Sequence, residues 1–246
     1  MSTRVWILIG GTFLPAGLVK GVIGMGLPTV AMGLLAVVLP PAEAAALLVI
    51  PSLVTNVWQL LAGPSFGALA RRLWPMMAGV MAGTIAGTGV LAGNQAGLAS
   101  VGLGIALAVY AVVGLAGFKM VVATRHERWL GPSVGLTTGL VTGATGVFVI
   151  PAAPYLQAIG LERDDLIQAL GLSFTVSTIA LALGLLRVDA WHAGSIWLSL
   201  LALAPALIGM QAGQRLRQRI AAPTFRRVFF AGLLLLGVYL VVERMA

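Results

Sequence analysis

The chain has 246 residues, of which 59% are hydrophobic and only 9% are charged, and its mean hydropathy is +1.03. A soluble domain cannot cover its surface with so few charges, so the composition indicates a polytopic membrane protein. The absence of cysteine excludes disulfides, thiol catalysis and cysteine-ligated metal. The net charge of +8 does not indicate a nucleic-acid partner, because the basic residues lie between apolar runs, as they do in the cytoplasmic loops of membrane proteins.

Apolar windows long enough to cross a bilayer divide the chain into six clean spans and two interrupted segments. The clean spans are predicted at 42–62, 73–92, 98–118, 166–186, 195–213 and 225–242. The interrupted segments, 5–39 and 132–160, are too long for one straight crossing, and each contains glycines followed by proline, at Pro28 and at Pro151. In lipid, such a break needs neighbouring protein or a watery cavity to satisfy its backbone groups. We therefore expect both breaks to border a ligand site.

The two interrupted segments begin two similar halves, residues 1–122 and 123–246. A shift of 122 positions aligns GLVKGVIGMGLP, starting at Gly17, with GLVTGATGVFVI, starting at Gly139, and 12 of the 46 pairs from 17 to 62 are identical. Each half has the same order of a broken segment, a short polar turn and three clean spans. An internal repeat with interrupted segments at matching positions is the pattern of a transporter with its site between the halves.

The basic residues decide how the broken segments run, because cytoplasmic loops carry an excess of Lys and Arg. If each broken segment crosses once, the residues other than Lys20 divide eight against six, which is no bias. If each broken segment enters the membrane and returns to the same side, eleven basic residues lie on one side of the membrane and three lie on the other. The eleven are Arg71, Arg72, Lys119, Arg125, Arg128, Arg163, Arg215, Arg217, Arg219, Arg226 and Arg227, and the three are Arg4, Arg187 and Arg244. The second arrangement is the one that the positive-inside rule favours.

The predicted fold is therefore an all-α polytopic membrane protein of two inverted repeats. Each repeat has a Gly/Pro-broken segment, formed as a re-entrant hairpin or as two half-helices, and then three transmembrane helices. Both termini are predicted on the periplasmic or extracellular side. The arginines between 215 and 227 are interpreted as a cytoplasmic anchor that could also contact anionic lipid or attract an anionic substrate.

The two breaks supply the first group of candidate substrate-binding residues. Half-helices starting near Pro28 and Pro151 would direct unpaired amides at a shared central point, which suits an anion. Lys20 adds a positive charge, and its matching position in the second half is Thr142. The alternative is that the glycines serve only close helix packing and that Lys20 snorkels to an interface. The candidates from the breaks are Lys20, Gly24, Gly26, Pro28, Gly143, Gly146 and Pro151.

The span after each broken segment supplies the second group, because it carries polar residues within an apolar run. Asn56 is predicted to contact the ligand, and it matches Thr178 in the repeat. Hydroxyl and amide donors can bind an oxyanion without the cost of a second buried charge. Helix–helix hydrogen bonding is the alternative. The candidates from these spans are Ser52, Asn56, Gln59, Ser173 and Ser177.

Several chemistries lack the residues that they need. All seven carboxylates lie at predicted loops or helix ends, so facilitated movement, or coupling through the protonation of the substrate, is at least as well supported as a carboxylate proton relay. His126 and His192 lie in predicted loops, which disfavours an intramembrane enzyme. The run GMGLPT lacks the lysine of a phosphate-binding loop. No catalytic residue, metal or cofactor is predicted.

Four features together resemble the TauE/SafE family, also called the sulfite exporter or toluene sulfonate uptake permease family. They are the early glycine-rich break closed by proline, the turn LPPAEA, the polar-bearing helix, and the repetition of this order in the second half. The resemblance covers nearly the whole chain. It implies a transporter of sulfur-containing anions, such as sulfite or organosulfonates, in the bacterial inner membrane.

The functional hypothesis is a secondary transporter or facilitator for a small sulfur-containing oxyanion, with its site between the two repeats. The predicted partners are this anionic substrate and membrane lipid, and a homodimer is an open alternative for the assembly. An anion or small-solute channel is the main rival function, and an intramembrane enzyme is a weaker one.

Overall fold

The computed structural model describes residues 3–93, 96–117, 120–217, 219 and 222–245. Phe118, predicted as the end of a span, and Lys119, counted among the basic residues, lie outside this part of the chain. The described residues form ten α-helices: α1 (Thr3–Ile23), α2 (Leu27–Leu35), α3 (Pro41–Leu61), α4 (Phe66–Ala92), α5 (Ala96–Ala116), α6 (Thr124–Thr145), α7 (Ala152–Ala158), α8 (Arg163–Arg187), α9 (Ala193–Arg217) and α10 (Ala222–Met245).

The six clean spans of the sequence correspond to α3, α4, α5, α8, α9 and α10, and with α1 they make seven helices long and apolar enough to cross a membrane. Two helices begin before the predicted apolar segments that they contain. The helix α4 begins at Phe66, before the span predicted from 73, and α6 begins at Thr124, before the broken segment predicted from 132. In both cases charged residues end an apolar window, but they do not end the helix, which continues through them and also includes Pro75 or Pro132.

Each broken segment is one long helix followed by one short helix, rather than two short helices. The long helices α1 and α6 have 21 and 22 residues, which at about 1.5 Å per residue is enough to cross a bilayer. The short helices α2 and α7 have 9 and 7 residues. Only the second part of each broken segment is therefore a half-helix.

A glycine in the left-handed conformation ends each long helix, at matching positions of the repeat. Gly24 has φ +84° and Gly146 has φ +71°, which side chains rarely tolerate. Each glycine amide donates to the carbonyl four residues earlier, Gly24 to Lys20 at 2.7 Å and Gly146 to Thr142 at 2.8 Å. This is the usual α-helix C-terminal cap. The two breaks thus have the same local cause.

Other glycines allow two pairs of helices to pack backbone against backbone. A Cβ at Gly17 or Gly21 of α1 would overlap α9, and a Cβ at Gly139 or Gly143 of α6 would overlap α4. The packing interpretation therefore applies to these four positions. Gly143, a candidate for the second break, lies inside α6 against Thr84, and its missing side chain is required there.

The contacts of α4 fix the directions of α6 and α8. Along α4, Gly79 lies against Leu136 and Gly87 against Ala144, so α4 and α6 run parallel. Gly63, just before α4, lies against Gln168 near the start of α8, and Gly184 near the end of α8 lies against Thr88, so α4 and α8 also run parallel. Because α6 and α8 share one direction, the chain reverses between them, and α7 is the helical part of that return.

Candidate functional site

Lys20 is buried, with 3% of its surface exposed, although it carries a charged side chain in the last turn of α1. Its Nζ donates to Thr55 Oγ1 at 3.1 Å and to Asn56 Oδ1, both on α3. Among the described residues no carboxylate lies within 4.0 Å of it, since the ion-pair distance is met only by Arg72 and Glu127. Lys20 therefore does not snorkel, and it has hydrogen-bond acceptors but no counter-charge.

Asn56 connects the two halves of the chain. Its Nδ2 donates to Thr178 Oγ1 of α8 at 3.2 Å, and the two residues are 122 positions apart, which is the shift of the repeat. Further along the same helices, Gln168 Nε2 donates to the Leu60 carbonyl at 2.7 Å, so α3 and α8 run antiparallel. The chain Lys20, Asn56 and Thr178, here called the central cluster, joins α1, α3 and α8.

The remaining polar candidates of α3 and α8 divide into two kinds. Gln59 Nε2 donates to the Ile167 carbonyl at 2.8 Å, as helix–helix hydrogen bonding predicts, although its Oε1 has no partner among the described residues. Ser52, Ser173 and Ser177 are completely buried, and in the same part of the chain their hydroxyls have no hydrogen-bond partner. Buried polar groups are normally satisfied, so unpaired hydroxyls within a membrane protein are donors available to a ligand or to water.

The two breaks contribute differently to the site. Pro28 is the second residue of α2, and Gly26 is its N-cap with φ +103°. The next hydroxyl, Thr29 Oγ1, is buried and has no hydrogen-bond partner in the described part of the chain. The first amides of α2 also lack intrahelical acceptors. Pro151 is the N-cap of α7, but a seven-residue helix adds little dipole. Polar groups that could face an anion are thus concentrated on the α2 side.

A cavity of about 740 Å³ lies beside both breaks and was not anticipated from the sequence. Met25 of the first break and Pro151 of the second line it, together with Tyr110 and Gly114 of α5. Arg226 of α10, which the sequence placed in a cytoplasmic anchor, also lines it. No local motif marks Arg226, because its place depends on how α5 and α10 cross.

The carboxylates lie at or near helix ends, as the sequence predicts. The described structure has them in the first or last turn of a helix or just outside it: Glu43 in α3, Glu127 in α6, Glu162, Asp164 and Asp165 at the start of α8, Asp189 just after α8, and Glu243 at the end of α10. His126 and His192 are exposed, and His192 Nε2 lies 3.4 Å from Ser195 Oγ. None of these groups approaches the central cluster.

The family model of the sulfite exporter TauE/SafE matches residues 8–240, nearly the whole chain. The chain belongs to the sulfite exporter TauE/SafE family. No curated protein and no solved structure gives a significant match. Membership makes this TauE/SafE protein a multi-pass membrane transporter of sulfur anions rather than an enzyme. The central cluster places the buried Lys20 side chain against two neutral acceptors, Thr55 Oγ1 and Asn56 Oδ1.

Proposed function

We propose that this TauE/SafE protein is a secondary transporter or facilitator that moves a small sulfur-containing oxyanion, sulfite or an organosulfonate, across the bacterial inner membrane. The anion binds at the central cluster, where the two halves of the chain meet. The observation that carries the proposal is Lys20, a buried cation held by Thr55 and Asn56 with no carboxylate within 4.0 Å in the described residues.

The electrostatics of the central cluster favour an anion as the missing partner. A charge in a low-dielectric interior is costly unless an opposite charge lies nearby, and a bound oxyanion supplies one. Hydroxyl and amide donors can then share the oxygens of the anion. Because the carboxylates lie at helix ends, substrate movement is either facilitated or coupled through the substrate's own protonation.

The contacts support the inverted repeat that the charge distribution predicts. Asn56 and Thr178 occupy equivalent positions, and they meet where α3 and α8 run antiparallel. A two-fold axis that exchanges antiparallel helices is perpendicular to them, and therefore lies in the membrane plane. The close pair α1 and α9 is likewise the counterpart of α6 and α4. The alternation of the site between the two sides would come from rocking of one repeat against the other.

The orientation of the repeat is tested by reporter fusions. A phosphatase that folds only in the periplasm is expected to be active when it is fused after Met245, and inactive when it is inserted before Glu162, in the return from α7 to α8. The positive-inside distribution is the physical reason. Activity only at the internal site would reverse the proposed orientation.

Homodimer formation stays a prediction.

Transport itself is tested in proteoliposomes. Purified protein is expected to give saturable uptake of sulfite or of an organosulfonate, with each anion competing with the other, because both would use the central cluster. A channel would instead show single-channel conductance well above carrier turnover. Absence of flux for every sulfur oxyanion offered, in vesicles where the protein is folded and inserted, would contradict the proposal.

A further inference from the structure

The cavity beside the two breaks is built from four parts of the chain that are distant in sequence. Met25 and Pro151 come from the breaks, Tyr110 and Gly114 come from α5, and Arg226 comes from α10. Its volume of about 740 Å³ is far larger than a bare oxyanion needs. The cavity can therefore hold a larger ligand than a bare oxyanion.

Arg226 is the charged group on the wall of this cavity. Its Nη2 donates to the Gly114 carbonyl at 3.1 Å, and its guanidinium lies 5.9 Å from the centre of the Phe230 ring. No carboxylate of the described chain is within 4.0 Å of it. A guanidinium has five N–H donors in a planar fork, so most of them remain free for a carboxylate, sulfonate or phosphate group.

The rest of the wall is mostly apolar and aromatic. Tyr110 and Phe230 meet edge to face with ring centres 5.0 Å apart, and Phe229 packs beside them. Even the Tyr110 hydroxyl is engaged, because it donates to Met25 Sδ at 3.2 Å. A bare inorganic anion gains little from such a surface, whereas an apolar group removed from water against it binds favourably.

The cavity lies next to the central cluster along the chain. Met25 is five residues after Lys20, and the amide of the intervening Gly24 donates to the Lys20 carbonyl at 2.7 Å. The cavity and the central cluster are therefore joined through the break at the end of α1.

We infer that the cavity is a second anion site, in which Arg226 binds the charged end of an organic anion while the aromatic wall binds its apolar part. The inference rests on the proposed function, since this site would hold the anion before it passes to Lys20. The two sites would then have different roles: Arg226 would select the amphiphilic anion, and Lys20 would bind its charged group at the central cluster.

The test measures binding of benzenesulfonate to the purified full-length protein by calorimetry, in nanodiscs of phosphatidylcholine. Arg226→Gln is expected to weaken binding about tenfold or more, since it removes a charge-assisted contact. The matched control is Arg244→Gln, which removes an exposed positive charge near the other end of α10, away from the residues that line the cavity, and it should stay within about twofold of wild type. An equal loss of benzenesulfonate affinity in both variants would show that Arg226 acts only through its contribution to the surface charge, and it would overturn the inference.

Two further arms separate the alternatives. Benzenesulfonamide, which keeps the ring but lacks the negative charge, should bind at least about tenfold more weakly than benzenesulfonate; equal binding would overturn the role of Arg226. If added phosphatidylglycerol displaces benzenesulfonate in proportion to its content, the occupant is a lipid phosphate, and the inference is again overturned. Sulfite flux of Lys20→Met is measured separately, so that failure of the central cluster appears in sulfite flux and failure of the Arg226 site appears in the comparison of benzenesulfonate with benzenesulfonamide.

Discussion

Lys20→Met is expected to lower the affinity for the transported oxyanion by about 10- to 100-fold, as the loss of a charge-assisted hydrogen bond predicts. Methionine keeps the length and the apolar stem of the side chain, so packing against α3 is preserved. The charge that it removes is buried without a counter-charge in the described structure. The thermal stability in detergent should therefore be maintained, because an uncompensated buried charge destabilises the empty protein.

The measurement is initial uptake against substrate concentration in proteoliposomes, with the amount of inserted protein determined for each variant. Arg4→Met is the matched control, because it removes a positive charge from the same helix at an exposed position, and its uptake should stay within about twofold of wild type. Wild-type affinity in Lys20→Met would exclude Lys20 as the anion contact and would leave its burial as a packing feature only.

A variant of Asn56 tests the central cluster in the same uptake assay. Asn56→Ala removes both the acceptor of Lys20 and the donor to Thr178. If the three residues act as one unit, the double variant with Lys20→Met should lose no more uptake than Lys20→Met alone. Additive losses would mean that Asn56 only joins α3 to α8.

Gly87→Leu is expected to prevent accumulation of folded protein. A Cβ at Gly87 would lie 2.7 Å from the Leu140 carbonyl oxygen and 3.2 Å from Gly143 Cα, which are backbone atoms of α6 that cannot move aside. Either α4 and α6 separate along their length or the side chain is strained, and overpacking of this kind costs about 1–3 kcal/mol or more. The break at Gly146 lies at the end of the same interface.

The control for this variant is Gly89→Leu, two residues further along α4, where nothing lies within 4 Å of an added Cβ. Size-exclusion chromatography of a fluorescent fusion should give a monodisperse peak for Gly89→Leu and a peak reduced about tenfold for Gly87→Leu. Equal peaks would show that the α4–α6 contact tolerates side chains. Equal losses would point to a general effect of leucine in α4.

The long apolar elements could be predicted from sequence because lipid demands a continuous run of apolar residues for each crossing. The same criterion does not give helix ends, since α4 and α6 begin at Phe66 and Thr124 and include charged turns that precede the apolar windows. Both breaks were located correctly, since Gly24 and Gly146 act through their own backbone conformation, which is a local property. Gly143 was misleading, because the sequence alone does not distinguish a glycine that ends a helix from one that packs against a neighbour.

The central cluster shows the same limit. The repeat made Asn56 and Thr178 equivalent, but equivalence does not imply contact, and the hydrogen bond at 3.2 Å follows only from the antiparallel approach of α3 and α8. Arg226 was interpreted as part of a cytoplasmic anchor that could also attract an anionic substrate, because it is one of several arginines between 215 and 227. Its position beside Gly114 depends on the crossing of α5 and α10, which the sequence does not show.

The sequence by itself determined that the chain is a polytopic membrane protein and where its two breaks lie, and its motifs carried the resemblance to the TauE/SafE family. The membrane class follows from composition and the breaks follow from local backbone preference, which acts over a few residues at a time. The tertiary structure alone decided that Lys20 lies buried against Asn56 rather than at an interface, and that two breaks 122 residues apart border one cavity. The physical reason is that burial and charge pairing depend on which helices pack together, and the sequence of a single segment does not determine its long-range packing partners.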